Sequence, residues 1–596
     1  RRVRMIYAVR RGYDYFGSEA CATLLDTVHG EFERRASGFF GDVIVGSFQD
    51  ELPSMPTWSE GFLAAFAARN GYDLQPKLGL LWEGDDPEAQ RVRTDFHATR
   101  AELAEEAFFK PLFAWHERHG IICGFDQQGP ARAGDPVETV TLYADYLKTH
   151  RWFGAPGSDH HGEAKIHSSL AHLYERPRVW IESFHSSGWG GTLEETFDWL
   201  LPWLRAGANL YDPHAVYYST RGGWWEWAPP STCWRQPYWR HYPLFSGTVS
   251  RLCYLLSQGD HVCDIGVLFP TVTVQAHTTP DGARPTAKVA HDMYVELVGR
   301  MVWFEAHPGV LDRDRRDYDI LDDDSVQRGT VTDGALTIGR EQYRAIVLPG
   351  CVTLAEATAE VLAQFVEAGG MLVAVGGEPQ YAADGNGAAL GRLQAAFASG
   401  RAAVVATAEE LPQALTKLPR RVNAPVPTLH RRIAGQDVLF VPATASRASE
   451  VANKDTWWNI DYSFDSARYL RNITVRVQGA KGMPQLWNPL DGTRQPLPAR
   501  VVGDGMEVDI AFDESPAALV VWSEEEKPAG AARNPGSERQ EVVATLEAWQ
   551  AQVEPTLDNR YGDFDRPAHS GAPPIQTWRF EHKVEDGAGL GETWRP

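Results

Sequence analysis

Arg178-Val179-Trp180-Ile181-Glu182-Ser183-Phe184-His185 decides how this chain is read. It is a short apolar strand that closes on a carboxylate and runs into a loop rich in glycine and tryptophan. An amphipathic stretch, Leu193–Ala206, follows, and then another strand-like run, Ala208–Tyr211. Strand, loop, helix and strand in this order make a βα unit, the repeat of a parallel sheet covered by helices.

Working outward, the same unit recurs. Strand candidates are Val3–Val9, Asp42–Ser47, Ile121–Phe125, Trp152–Gly154, Arg178–Ser183 and Ala208–Tyr211. Helical stretches lie at Thr57–Arg69, Ala101–His119, Val137–Thr149, Leu193–Ala206 and Phe245–Gln258, and Gly120 predicts a stop for the second. Six units are two short of a closed (β/α)8 barrel. The expectation is an α/β chain that enters a TIM-type barrel part-way, with two strands lying before residue 1.

At 596 residues the chain is too long for a single core. The barrel portion is expected over 1–258. From 259 to 428 the pattern becomes that of a smaller flavodoxin-like or glutamine-amidotransferase-like α/β domain. Its strands are expected at His261–Phe269, Arg344–Leu348 and Met371–Gly376, with helices at Ala287–Ala306 and Ala355–Ala368. Residues 429–523 read as a β-sandwich, 524–541 as a charged linker, and 542–596 as the start of a further β-rich, galactose-binding-like domain.

The net charge of −22 argues against nucleic acid or an anionic membrane as the main partner, since both need a cationic face. No apolar run is long enough to span a bilayer. No leader is visible, and the compartment stays unassigned. The six cysteines include no C-x-x-C, and Cys351 lacks the second glycine of a nucleophile elbow, so it reads as a buried thiol. The 21 tryptophans offer flat apolar faces that suit sugar rings as well as cores.

Catalytic groups in α/β barrels project from the C-terminal ends of strands. Two strands here end in acids: Val43-Ile44-Val45-Gly46-Ser47-Phe48-Gln49-Asp50-Glu51, and the Glu182 strand. A carboxyl pair flanking one cavity is what glycosidic cleavage needs, one protonated and one ionised. Glu51 and Glu182 are the expected pair, and Asp50 is the rival at the first position. Polar and aromatic residues at the other strand ends would line a sugar pocket: Arg11, Tyr13, Asp126, Gln127, Asp159, His160, His185, Trp189, Asn209, Tyr211 and His214. Tyr218 and Trp224, in a Gly/Pro-rich aromatic segment, would form a wall over the mouth. Asp159-His160-His161 matches no zinc spacing, and no EF-hand loop occurs, so the residues themselves assign no metal.

Several runs resemble the α-L-rhamnosidases of glycoside hydrolase family 106. They are Ser47–Glu51, Phe66–Leu74, Ala155–Asp159, Ile181–Phe184 with Gly188-Trp189, Gly207–Asn209 with Pro213–Ser219, Gly259–Pro270 and Pro555–Phe564. The resemblance covers most of the chain in order. It implies a multidomain inverting enzyme with an interrupted barrel, a Ca²⁺ ion near the site, and Glu51 and Glu182 as acid and base. Glu51 is taken as the acid and Glu182 as the base. The expected substrate is an oligosaccharide or glycoside. Two alternatives stand beside this reading: a retaining β-galactosidase-like hydrolase, and a carbohydrate-binding protein without catalysis.

Overall fold

The computed structural model describes residues 5, 7, 9, 12–129, 131–159, 164–183, 191–214, 232, 236–302, 305–454, 460–512 and 515–523. The chain forms two compact units. The larger takes in residues 1–184, 191–213 and 237–530; the smaller takes in 185–190, 214–236 and 531–596. Of the smaller unit only His214, Thr232 and Gln236 are described, the last two buried.

In the larger unit, five parallel strands succeed one another in chain order: β1 (Gly46–Leu52), β2 (Ile122–Gln127), β3 (Gly157–Asp159), β4 (Trp180–Ser183) and β5 (Leu210–Pro213). β1 pairs with β2, and β3, β4 and β5 pair among themselves. The two pieces meet where Ala155 N donates to Cys123 O at 2.9 Å and the Trp180 indole N–H donates to Phe125 O at 2.6 Å. Among the described residues this is an arc of five strands, not a closed barrel of eight. Met5, Tyr7 and Val9, the described members of the first expected strand, are exposed and belong to no strand.

The third strand lies later than its aromatic run predicts. Phe153 is taken into the helix-side core, its ring 4.2 Å from that of Phe125, and the Trp152 indole donates to Glu105 at 2.7 Å. The ladder with β4 begins at Gly157, where a Cβ would lie 2.0 Å from Trp180 Cδ1. The helices also shift in detail. Asp86 caps and Pro87 opens a helix that runs to Ala104, passes through a π-turn at Glu105–Phe109 and continues as Lys110–His119. It stops at Gly120, whose φ is +64°, as the glycine predicts. The stretch Val137–Thr149 is two helices, Pro136–Tyr143 and Tyr146–His150. Asp145 breaks it by capping the second through Lys148 N.

The next sheet is parallel, in the order Asp319–Leu321, Ile265–Leu268, Ala345–Pro349, Met371–Val375, Ala403–Val405. Numbered along the chain this is 2-1-3-4-5, the order of flavodoxin-like sheets. The expected helix over Ala287–Ala306 ends at Val298. Gly299, at φ +83°, turns the chain into a hairpin of Gly299–Val302 and Glu305–Pro308. Cys351 is buried with its thiol raised by desolvation, which leaves it inert as a nucleophile.

Residues 422–523 contribute to two antiparallel sheets, of six and four strands. The strand Ala517–Ser523 is buried along its whole length because its sheet is covered twice. Val520 and Trp522 pack with Val475 and Ile510 of the four-stranded sheet. Leu519 and Val521 pack with Trp199, Leu200 and Trp203 of the helix Leu193–Arg205. Each such side chain removed from water contributes about 1.5–3 kcal/mol. The same helix sends Asp198 into the contact, where it accepts from Ala448 N (2.7 Å), Ser449 N (2.9 Å), Ser449 Oγ (2.6 Å) and Tyr469 OH (2.7 Å).

Candidate active site

Side chains alternate between the two faces of a strand. On β4, Ile181 joins the helix-side core, so Trp180 and Glu182 point to the inside of the arc. Register places Asp159 of β3 and Asp212 of β5 directly beside Glu182. On β2, Cys123 and Phe125 face the helices, which leaves Gly124 and Asp126 on the inside. On β1, Ser47 hydrogen-bonds His116 of the outer helix at 2.7 Å, while Phe48 meets Trp180 edge-on at 4.4 Å. Asp50 therefore follows Phe48 on the inner face. The floor of the arc is aromatic, and above it stands one layer of acids: Asp50, Asp126, Asp159, Glu182 and Asp212.

The electrostatics agree with this phase. Burial raises Glu182 to about 8, and the charges of Asp159, Asp212, Asp126 and Asp50 add to the shift. Burial also lifts Asp126 to about 7 despite the Arg132 guanidinium beside it. Among the described residues, Arg132 is the cation beside these acids. It contacts Asp126, lies 3.2 Å from Asp159 and 3.8 Å from Glu51, and is itself only 8% exposed.

Glu51 departs from the layer. Three steps of β1, from Gln49 to Leu52, oppose two steps of β2, from Phe125 to Gln127, so a bulge falls on Asp50 and Glu51. Glu51 takes φ +30° and leaves its side chain 66% exposed. Bulges re-aim side chains in this way beside active sites. Of the two acids at the end of β1, Asp50 shares the inner face with Glu182, and Glu51 stands at the rim against Arg132.

Other expected site residues are placed as follows. Asp126 and Asp159 share Arg132, and Asp159 N donates to Asp126 Oδ1 at 3.2 Å. Gln127 is fully buried on the helix side, and neither amide atom is hydrogen-bonded among the described residues. Asn209 lies at the other end of the strands, its amide oxygen accepting from Val179 N at 3.0 Å, which fixes the entry to β4. Tyr211 turns to the helices, against Phe245, and Tyr13 packs edge-on to Tyr15 at 4.9 Å beside Cys21. These four do not join the acids: strand alternation takes Gln127 and Tyr211 to the helix side, Val179 N holds Asn209, and Tyr13 packs against Tyr15. His214 belongs to the smaller unit. Arg11, His160, His185, Trp189, Tyr218 and Trp224 lie outside the described residues.

The layer offers carboxylate oxygens, the ligand type that Ca²⁺ takes. A hard cation there would draw on members such as Asp50 and Asp212. A second cluster has the composition of a transition-metal site: His172, His261 and Asp319. Its geometry is that of a hydrogen-bonded chain instead. The two imidazoles stack at 4.4 Å and 22°, so their ring nitrogens lie in two nearly parallel planes, and each Nδ1 is turned to a different oxygen of Asp319. Asp319 accepts from His172 Nδ1 (2.9 Å) and His261 Nδ1 (3.0 Å), and Asp317 bridges His261 Nε2 (2.6 Å) to Lys165 (2.6 Å). Burial alone would lower His261, but Asp319 and Asp317 outweigh it and raise the imidazole well above its usual value.

No protein-family model and no curated protein matches the chain. Solved structures do. A rhamnosidase from Novosphingobium sp. PP1Y aligns with 92% of this chain and 50% of its own, at 15% identity and a TM-score of 0.61. The GH42 β-galactosidase Gan42B aligns over 87% and 84%, at 12% identity and TM-score 0.53. A β-galactosidase from Bacillus circulans sp. alkalophilus aligns over 83% and 82%, at 12% and 0.52. The likeness is one of fold. The chain spans half the length of the rhamnosidase and most of each β-galactosidase.

Proposed function

We propose that this chain carries the active site of a glycoside hydrolase that cleaves a terminal glycosidic bond, with an α-L-rhamnoside as the first substrate to test. The observation that supports it is the layer of acids at the C-terminal ends of five consecutive parallel strands, with one member, Glu182, raised to about 8. An acid that keeps its proton at neutral pH can donate it to the leaving oxygen. Glu182 is then the general acid, which reverses the roles expected from the sequence. Glu51 is the partner carboxylate, taking a proton from water as that water attacks the anomeric carbon. Asp50 is its rival, on the strength of facing inward.

The inverting course requires the two carboxyl groups to stand about 6.5–9.5 Å apart, leaving room for the water. A second reading, retention by a β-galactosidase-like enzyme, draws on the coverage of the two β-galactosidases above. The test is a panel of aryl glycosides offered to the protein, to Glu182→Gln, Glu51→Gln and Asp50→Asn, with the product anomer followed by NMR. Inverted product and a loss of at least two orders of magnitude in Glu182→Gln and Glu51→Gln fit the proposal. Retained anomer favours the second reading. Full activity in Glu182→Gln removes the mechanism, and sugar binding without turnover of any glycoside leaves a binding protein.

A further inference from the structure

Glu51 poses a physical problem. It is a non-glycine residue at φ +30°, on a bulge at the end of β1, with most of its side chain in solvent. Such a conformation persists only where the surroundings over-determine it. The one cation within 4.0 Å of it among the described residues is Arg132. Arg132 sits in the short turn Ala131–Ala133 just after β2, and its guanidinium is nearly enclosed. One of its terminal nitrogens reaches both Glu51 and Asp126, and the other reaches Asp159. A planar fork spreads rigid donors over two terminal nitrogens and so spans carboxylates from three strand ends in fixed directions, where a lysine ammonium offers one compact, rotating charge.

We propose that Arg132 is a positioning residue of the hydrolase: it ties Glu51, on the strained end of β1, to the Asp126–Asp159 pair at the ends of β2 and β3. This rests on the hydrolase reading for its catalytic consequence, but not for its structural one. Without the guanidinium, the bulge loses its tether and the partner carboxylate loses its place relative to Glu182. Substrate affinity depends on the rest of the pocket, so the loss falls on kcat more than on KM.

The experiment compares Arg132→Ala and Arg132→Lys with the unaltered protein, using whichever aryl glycoside that protein cleaves. Arg132→Ala is expected to lose about 100-fold in kcat with KM changed less than about threefold. Millimolar guanidinium is expected to restore at least tenfold of that loss, and Arg132→Lys to recover part of it. A merely structural role would give a loss that guanidinium does not rescue, which overturns the proposal, as does activity within about threefold of the original. A second readout needs no turnover. Amide hydrogen exchange over residues 50–56 is expected to quicken about tenfold in Arg132→Ala, and unchanged exchange overturns the tether even if the protein cleaves nothing. To keep the variant folded, Arg132→Met with Asp126→Asn removes the buried charge pair together. An unaltered protein inactive on every glycoside, with exchange quickened in the variants, refutes the hydrolase and leaves the tether standing.

Discussion

Replacing Asp319 by Asn should destabilise the larger unit by several kcal/mol while changing neither shape nor volume. Asp319 is fully buried, and its two oxygens face donors only. One accepts from His172 Nδ1 (2.9 Å) and Ser169 Oγ (3.1 Å), the other from His261 Nδ1 (3.0 Å) and Tyr343 OH (3.1 Å). An amide must turn its NH2 towards one of these pairs, so the imidazole N–H of that pair loses its acceptor and meets another donor, while the hydroxyl must turn to accept. The charged His261 also loses its nearest anionic partner on Nδ1 and keeps Asp317 on Nε2 at 2.6 Å, with Glu341 3.9 Å from Nδ1. Breaking a buried pair of this kind costs about 3–5 kcal/mol, which for a unit of about 500 residues corresponds to a fall in melting temperature of about 3–5 °C. The assay is a circular-dichroism melt near neutral pH, with Asp26→Asn, an exposed pair partner on the helix Ser18–Ala36, as the control that should not move. The pH dependence follows from the signs. His261 is raised, so its contribution is present below about 6.5 and is lost as pH rises through its higher folded value. Asp319 is depressed, so its contribution is present above about 3.8 and is lost only well below that. The gap between the two proteins should thus hold from weakly acidic through neutral pH and narrow at alkaline pH. A variant melting within about 2 °C of the parent across that range would refute the reasoning.

Three further outcomes are expected. Turnover should fall as pH rises through about 8, where Glu182 gives up its proton, and a profile flat from 6 to 10 would contradict its role as acid. Gly157→Ala would set a Cβ 2.0 Å from Trp180 Cδ1 and 2.3 Å from its carbonyl oxygen; the β3–β4 pairing must move, with a cost of at least about 1–3 kcal/mol readable in urea denaturation. Asp198→Ala strands four donors at the contact between Leu193–Arg205 and residues 448–469, and should cost about 3 kcal/mol or more in the same assay.

Much of the arc was legible because its signals are local. Glu182 closes an apolar run, Gly120 stops a helix, and Asp135 with Pro136 opens one. The misplacements share a cause: the partner was not in view. The bulge at Asp50 and Glu51 exists only against β2, so the slip that separates them from one another cannot be seen along β1 alone. Trp152 and Phe153 have strand composition, but the helix-side core takes their rings. Asn209 and Tyr211 look like pocket residues until the phase of β5 is fixed by Tyr211 meeting Phe245. Arg132 went unnoticed as one arginine among many, although a lone basic residue between Gly129 and Gly134 at a strand end was the available signal. His172, His261 and Asp319 are too far apart in sequence for any spacing rule to join them.

The doubly covered strand Ala517–Ser523 has a practical consequence for anyone wishing to trim this protein. The sheet that ends the described chain is the seat of the helix Leu193–Arg205. Deleting residues 429–523 to obtain a minimal catalytic piece would lay bare Trp199 and Trp203 and release Asp198, so the shortened product should aggregate rather than turn over. Shuffling schemes that treat this C-terminal portion as an interchangeable accessory would have to carry Leu193–Arg205 with it.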